Sequence, residues 1–137
     1  MSVPEGERRT SRLEVHVKAR ELAVYTVMIL KNAKTFVPEI DTELIQRIKA
    51  NALDINALAW KANKIDAGTN AVNREMRYRM QEEAILLCDE MMANIGIAKT
   101  VFKLRHRRMK FWAGKITDVR KLLQAWKESD VSRYGQP

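Results

Sequence analysis

Few side chains in this 137-residue sequence have the types and spacing for covalent or metal chemistry. There are two histidines, His16 and His106, and one cysteine, Cys88. Neither histidine has a carboxylate or the cysteine at a spacing that suggests a proton-relay pair, which a general base requires within hydrogen-bond reach. Neither has a glutamate three residues before it, so the Glu-x-x-His pattern of di-metal helical bundles is missing. One cysteine excludes a disulfide framework and a cysteine-rich zinc site. Cys88 falls on an apolar helical seam and reads as a small core residue. Glu82, Glu83, Asp89 and Glu90 read as acids on a helix surface. There is no glycine-rich phosphate loop. A catalytic residue, a metal and a cofactor are all unexpected, and an enzyme would need a pocket that this sequence does not advertise.

The basic residues tell more. The net charge is +8. Between Lys103 and Lys121 stand Lys103, Arg105, Arg107, Arg108, Lys110, Lys115, Arg120 and Lys121, against Asp118 as the single acid. Nearly all the net charge therefore sits in one window. Arg105, Arg107, Arg108 and Lys110 crowd the start of a predicted helix, where the macrodipole prefers acids, at a cost of roughly a few tenths of a kcal/mol per charge. A cluster that opposes local stability is a candidate for function, most simply contact with a polyanion such as RNA. The bland alternative is a solvated face paired with acids on a neighbouring helix. Arg74, Arg77 and Arg79 form a second, weaker basic set, expected at the opposite end of the molecule. No aromatic is interleaved with the outer charges of the last helix, so phosphate contact without base stacking is expected.

Four long helices must position these groups. Residues 1–10 are polar, with Pro4 and Gly6, and read as a disordered arm. A first helix is predicted from Ser11, capped by the Ser11/Glu14 box, to about Thr35. Asp41 is the expected N-cap of the second, whose seam is Leu44, Ile48, Ala52, Ile55, Ala59 and Ala62. Gly68 is its expected left-handed stop. The third starts near 69–73 with the seam Met76, Met80, Ala84, Leu87, Cys88, Met91, Ile95, Ala98 and Phe102. The fourth starts near 104–107 and has the cleanest stripe: Met109, Trp112, Ile116, Val119, Leu123 and Trp126. Lys103, Arg107, Lys110 and Lys121 lie opposite that stripe. The reading is all-α: an antiparallel up-down-up-down four-helix bundle over 11–129, with 130–137 as a tail. No apolar run is long enough to span a membrane, and no signal core is present, so a cytoplasmic protein is expected.

Two helices carry more apolar surface than a lone bundle needs. At about 100° per residue, Leu13, Val17, Val24 and Met28 fall opposite the core side of the first helix. Leu53 and Trp60 project away from the seam of the second. A second apolar stripe asks for a partner, so these six residues are the expected interface of a homo-oligomer; a wide core face is the alternative.

These helices resemble a known family. The stretch Ile48-Lys49-Ala50-Asn51-Ala52-Leu53-Asp54-Ile55, ending Lys61-Ala62-Asn63-Lys64, looks like the second helix of the accessory variability determinant (Avd) proteins of diversity-generating retroelements. Leu13-x-Val15 followed by Ala19-x-x-Leu22 is similar to the wider four-helix-bundle superfamily, which includes the ribosomal RNA intervening-sequence proteins. Arg77-Tyr78, Gln81-Glu82-Glu83-Ala84, Cys88, Trp112, Val119-Arg120, Trp126 and Ser129-Asp130 fit the Avd side. The resemblance covers roughly residues 13–134. It implies a non-enzymatic, basic bundle assembled into a ring, a pentamer in that family. The ring would bind the reverse transcriptase and its template-repeat RNA, or an RNA/DNA hybrid, and support mutagenic cDNA synthesis. The basic residues 103–121 would then face RNA or polymerase. The alternatives are an intervening-sequence-type scaffold, or a scaffold whose basic face meets an acidic protein.

Overall fold

The computed structural model describes residues 5–136, with side chains from Arg12 onward. It holds α1 (Glu5–Leu30), α2 (Thr42–Lys64), α3 (Ala71–Val101) and α4 (His106–Tyr134), and no strand among the described residues. Each helix packs on its sequence neighbours, and α1 closes the ring against α4. Cross-helix pairs give the directions. His16 meets Trp126 while Tyr25 meets Trp112, so α1 and α4 are antiparallel. Arg77 meets Asp130 while Arg120 meets Asp89, so α3 and α4 are too. The result is an up-down-up-down four-helix bundle, whose short connections leave the chain no other economical route. No helix is long and apolar enough to cross a membrane among the described residues.

The core follows the predicted stripes on α2 and α4. Leu44, Ile48, Ala52, Ile55, Ala59 and Ala62 are buried, as are Trp112, Ile116, Val119, Leu123 and Trp126. Each large side chain fully removed from water contributes about 1.5–3 kcal/mol. The Trp112 indole N–H also donates to the Thr26 hydroxyl at 3.1 Å, which joins α4 to α1 without leaving a buried donor unpaired. The expected cap Asp41 accepts from the Leu44 N–H at 2.9 Å, and within the expected start of the third helix Asn70 is the cap, accepting from the Asn73 N–H at 2.8 Å.

Several boundaries differ from the sequence reading, each for a local reason. α1 begins at Glu5, so residues 5–10 are helical and the Ser11/Glu14 pair lies inside a helix; residues 1–4 lie outside the described residues. α1 ends at Leu30, short of Thr35. Asn32 breaks it, its side chain accepting from the Lys34 N–H at 3.1 Å, and the turn swings Phe36 into the core against Phe102 and Trp112. α2 ends at Lys64, and Gly68 is not its left-handed cap: Gly135 is the only described glycine at positive φ. Gly68 instead sits in the turn, donating its N–H to Asp66 Oδ1 at 2.9 Å, and a Cβ there would come within 3.3 Å of that oxygen and 3.4 Å of the Tyr134 ring. α4 runs through the expected tail to Tyr134 because Asp130 is buried and paired.

The expected α3 seam holds from Ala84 through Cys88, Met91, Ile95 and Ala98 to Phe102, with Met80 and Leu87 half-buried, and departs from the structure at its N-terminal end. Met76 is exposed, and Arg77, Tyr78 and Gln81 are buried instead. Arg77 donates to both Asp130 carboxylate oxygens (2.8 and 3.0 Å) and to the Ile65 carbonyl (3.0 Å). Gln81 donates to the same carboxylate at 2.7 Å. The Tyr78 hydroxyl donates towards the Asp130 and Gly135 carbonyls, at 3.1 and 2.8 Å. A hydropathy pattern ranks Met76 as core and Arg77 as surface; a paired carboxylate across the bundle reverses that order.

His16 supplies a pH test of the packing. Burial pushes its pKa below the ordinary 6.5, Arg12 and then Lys64 push the same way, and Asn63 opposes them. The unfolded chain therefore takes up the proton first as pH falls. The stabilisation is fully present above about pH 6.5 and is lost as pH drops through 6.5 to the lowered folded value. Urea unfolding at pH 7.5 and pH 5.5 should show a smaller loss for His16→Gln than for the wild type. Equal losses would exclude His16 as the titrating group.

Candidate nucleic-acid interface

The α1–α2 connection (residues 31–41), the α3–α4 turn (102–105) and the start of α4 meet at one end of the bundle. The turn is built by backbone geometry. Phe102 donates its N–H to the Ala98 carbonyl at 2.8 Å, and Leu104 donates to the Lys99 carbonyl at 3.0 Å. Lys103 between them has φ +53°, the one described non-glycine residue at positive φ. This is a Schellman-type helix end with lysine where glycine is the usual solution. The burial of Phe102 and Leu104 on either side holds the turn in place.

The strained turn puts Lys103 on a cleft of about 370 Å³, lined also by Lys34, Thr35, Phe102, Leu104, Arg105 and Arg108. Four cations thus border one cavity. α4 starts beside it with Arg105 at its N-cap position, no side-chain cap and no acid in the first turn. Uncapped N–H groups and positive side chains together make a place suited to an anion. Lys103→Gly should relieve the backbone strain and raise stability by about 1 kcal/mol, or roughly 3–5 °C in Tm. It should also weaken polyanion binding. Thermal melts and RNA titrations of the same variant check both signs.

A second cleft of about 400 Å³ shares Arg105 and Arg108 and adds Arg107, Tyr25 and Phe111. Phe111 is 56% exposed. Its ring meets Tyr25 edge-on at 5.3 Å between centroids, and the Lys115 ammonium lies 4.9 Å from its centre and 5.4 Å from that of Tyr25. Burial pushes the Tyr25 hydroxyl pKa up, and nearby Arg108 draws it down. Aromatics therefore do border the charged surface, contrary to the sequence reading. Phe111 sits four residues after Arg107 and three after Arg108, so it shares their side of the helix. That spacing was the available signal. Tyr25 and Lys34 carried none, because other elements bring them here.

The expected basic residues fall into distinct groups. Lys103, Arg105, Arg107, Lys110 and Lys121 are exposed, and Arg108 and Lys115 half-buried. None of these, nor Lys34, forms an ion pair among the described residues, whereas Arg120 is paired with Asp89 at 2.7 Å. The second basic set does not stand as expected. Arg77 is buried and neutralised by Asp130, Arg79 reaches Glu75 at 2.9 Å, and Arg74 donates to the Ala67 carbonyl at 3.3 Å. The basic character is thus concentrated at one end, with Lys121 further along α4.

Leu13, Val17, Val24, Met28, Leu53 and Trp60 are all exposed, with the Lys64 ammonium 5.2 Å from the Trp60 ring centre. Cys88 is buried, and burial followed by Asp89 pushes its thiol up to about 12, so it stays protonated at neutral pH. No group of His, Cys, Asp and Glu among the described residues is arranged to hold a metal. Comparisons with protein-family models, with curated proteins and with solved structures produced no match to this chain.

Proposed function

We propose that this protein is a non-enzymatic RNA-binding bundle that holds RNA by its phosphates. One observation carries the reading: Lys34, Lys103, Arg105, Arg107 and Arg108 line two adjoining clefts at one end, with exposed Lys110 following in α4, and none of the six forms an ion pair among the described residues. Unpaired cations held close together repel one another, and a polyanion relieves that repulsion while releasing its counterions. The resemblance to Avd proteins extends the proposal. The chain would serve as a cytoplasmic accessory to a reverse transcriptase, with template-repeat RNA as the polyanion. It would act as a ring-shaped homo-oligomer, pentameric by that resemblance, with Leu13, Val17, Val24, Met28, Leu53 and Trp60 supplying subunit contacts. A ring would repeat the basic end several times, so modest contacts to one RNA would add by multivalency.

The test is a titration with a structured RNA across a salt series, with the assembly mass measured on the same sample. Binding that falls steeply with salt, from a multi-subunit species, is expected. No binding at moderate salt would overturn the RNA reading and direct the search to an acidic protein. A monomeric mass would overturn the ring.

A further inference from the structure

The two clefts at the basic end share a wall, and their chemistry differs. The first is bordered by Lys34, Lys103, Arg105 and Arg108 beside the uncapped start of α4. The second places the Phe111 and Tyr25 rings next to Arg105, Arg107 and Arg108. A phosphate suits the first and a flat, weakly polar ring suits the second. These are the two halves of a nucleotide. In a duplex the bases are stacked inside and only the phosphates are offered; an unpaired nucleotide offers both.

We infer that this end of the bundle is a site for an unpaired nucleotide, with the phosphate among Lys34, Lys103, Arg105 and Arg108 and the base against Phe111. The inference rests on the RNA-binding reading and deepens it, from general phosphate contact to preference for single-stranded segments. Phe111 is suited to the role by its position. Packing in the core does not explain it, as the ring is more than half exposed. Tyr25 meets it edge-on, and the ring borders the open cleft that the arginines line. Lys115, within 5.4 Å of both ring centres, adds positive potential to the same aromatic pair. Arg105 and Arg108 border both clefts, so one guanidinium can meet the phosphate while its stem lies along the ring.

The experiment compares a single-stranded RNA with a blunt RNA duplex of equal phosphate number, by fluorescence anisotropy at fixed salt. The proteins are the wild type, Phe111→Ala, Phe111→Leu and Phe111→Trp. The wild type is expected to prefer the single strand. Phe111→Ala and Phe111→Leu should weaken single-strand binding by roughly 5- to 150-fold, the effect of losing one base–aromatic stack. Duplex binding should change by less than about 2-fold in the same variants, since phosphate contacts remain. Phe111→Trp should retain the preference. A nucleoside monophosphate competing where inorganic phosphate does not would support the two-part site.

Each contrary result separates the two readings. Equal affinity of all four proteins for both RNAs would overturn the nucleotide site and leave the phosphate reading intact. Equal weakening of both RNAs by Phe111→Ala would also overturn it. No binding of either RNA by the wild type would overturn both.

Discussion

Replacing Arg107, Arg108 and Lys110 together by glutamate is expected to lower RNA affinity by about 100-fold or more at moderate salt. The slope of log affinity against log salt should shrink by about 2, the share of three phosphate contacts to a single strand. The fold should not suffer. Arg107 and Arg108 stand in the first turn of α4, which has no acid and no side-chain cap. Glutamate there is favoured by the macrodipole, by about 0.3–1 kcal/mol per residue. The variant should therefore lose binding while its Tm holds or rises. Those opposite signs make the result informative, because unfolding cannot explain it. Retained binding with an unchanged salt slope would remove these residues from the RNA surface.

Asp130→Ala is expected to be the most damaging single change to stability, costing about 3–5 kcal/mol. The Arg77 and Asp130 side chains are 8% and 6% exposed, and their two hydrogen bonds are 2.8 and 3.0 Å long. Removing the carboxylate strands a guanidinium held between the Ile65 carbonyl and the Trp126 ring, and leaves Gln81 without its acceptor. That loss is a large fraction of the roughly 5–15 kcal/mol that holds a domain folded, and Tm should fall by more than about 10 °C. The double variant Arg77→Met with Asp130→Leu should recover most of the loss, because apolar groups of similar size leave no buried charge unpaired. Urea unfolding of both variants decides the matter. A loss under about 1 kcal/mol in Asp130→Ala would show that the pair does not hold α3 to α4.

The α2 and α4 faces were legible in the sequence because hydrophobic period is a local property. Leu44 to Ala62 and Trp112 to Trp126 repeat at helical spacing, and burial follows that repeat directly. Asp41 was equally legible as a helix start, since a cap acts over three residues, whereas the start of α3 was legible only as a range that includes its cap Asn70. The concentration of charge between Lys103 and Lys121 is a count along the chain. The sequence by itself therefore determined four helices, the two clearest inward faces and the place where positive charge is dense.

Which of those charges are free was decided only by tertiary structure. Arg77 and Arg107 look alike in sequence, but Asp130 lies 53 positions beyond Arg77 and reaches it only when α4 folds back along α3. No local pattern reports that partner, so hydropathy alone ranks Arg77 as surface and ends α4 before Asp130. The same fold-back brings Tyr25 to Phe111 and Lys34 to the α3–α4 turn. The physical reason is range. Helix propensity, capping and amphipathic period act over a few residues, whereas charge pairing and cleft formation depend on distances in space that chain spacing does not encode.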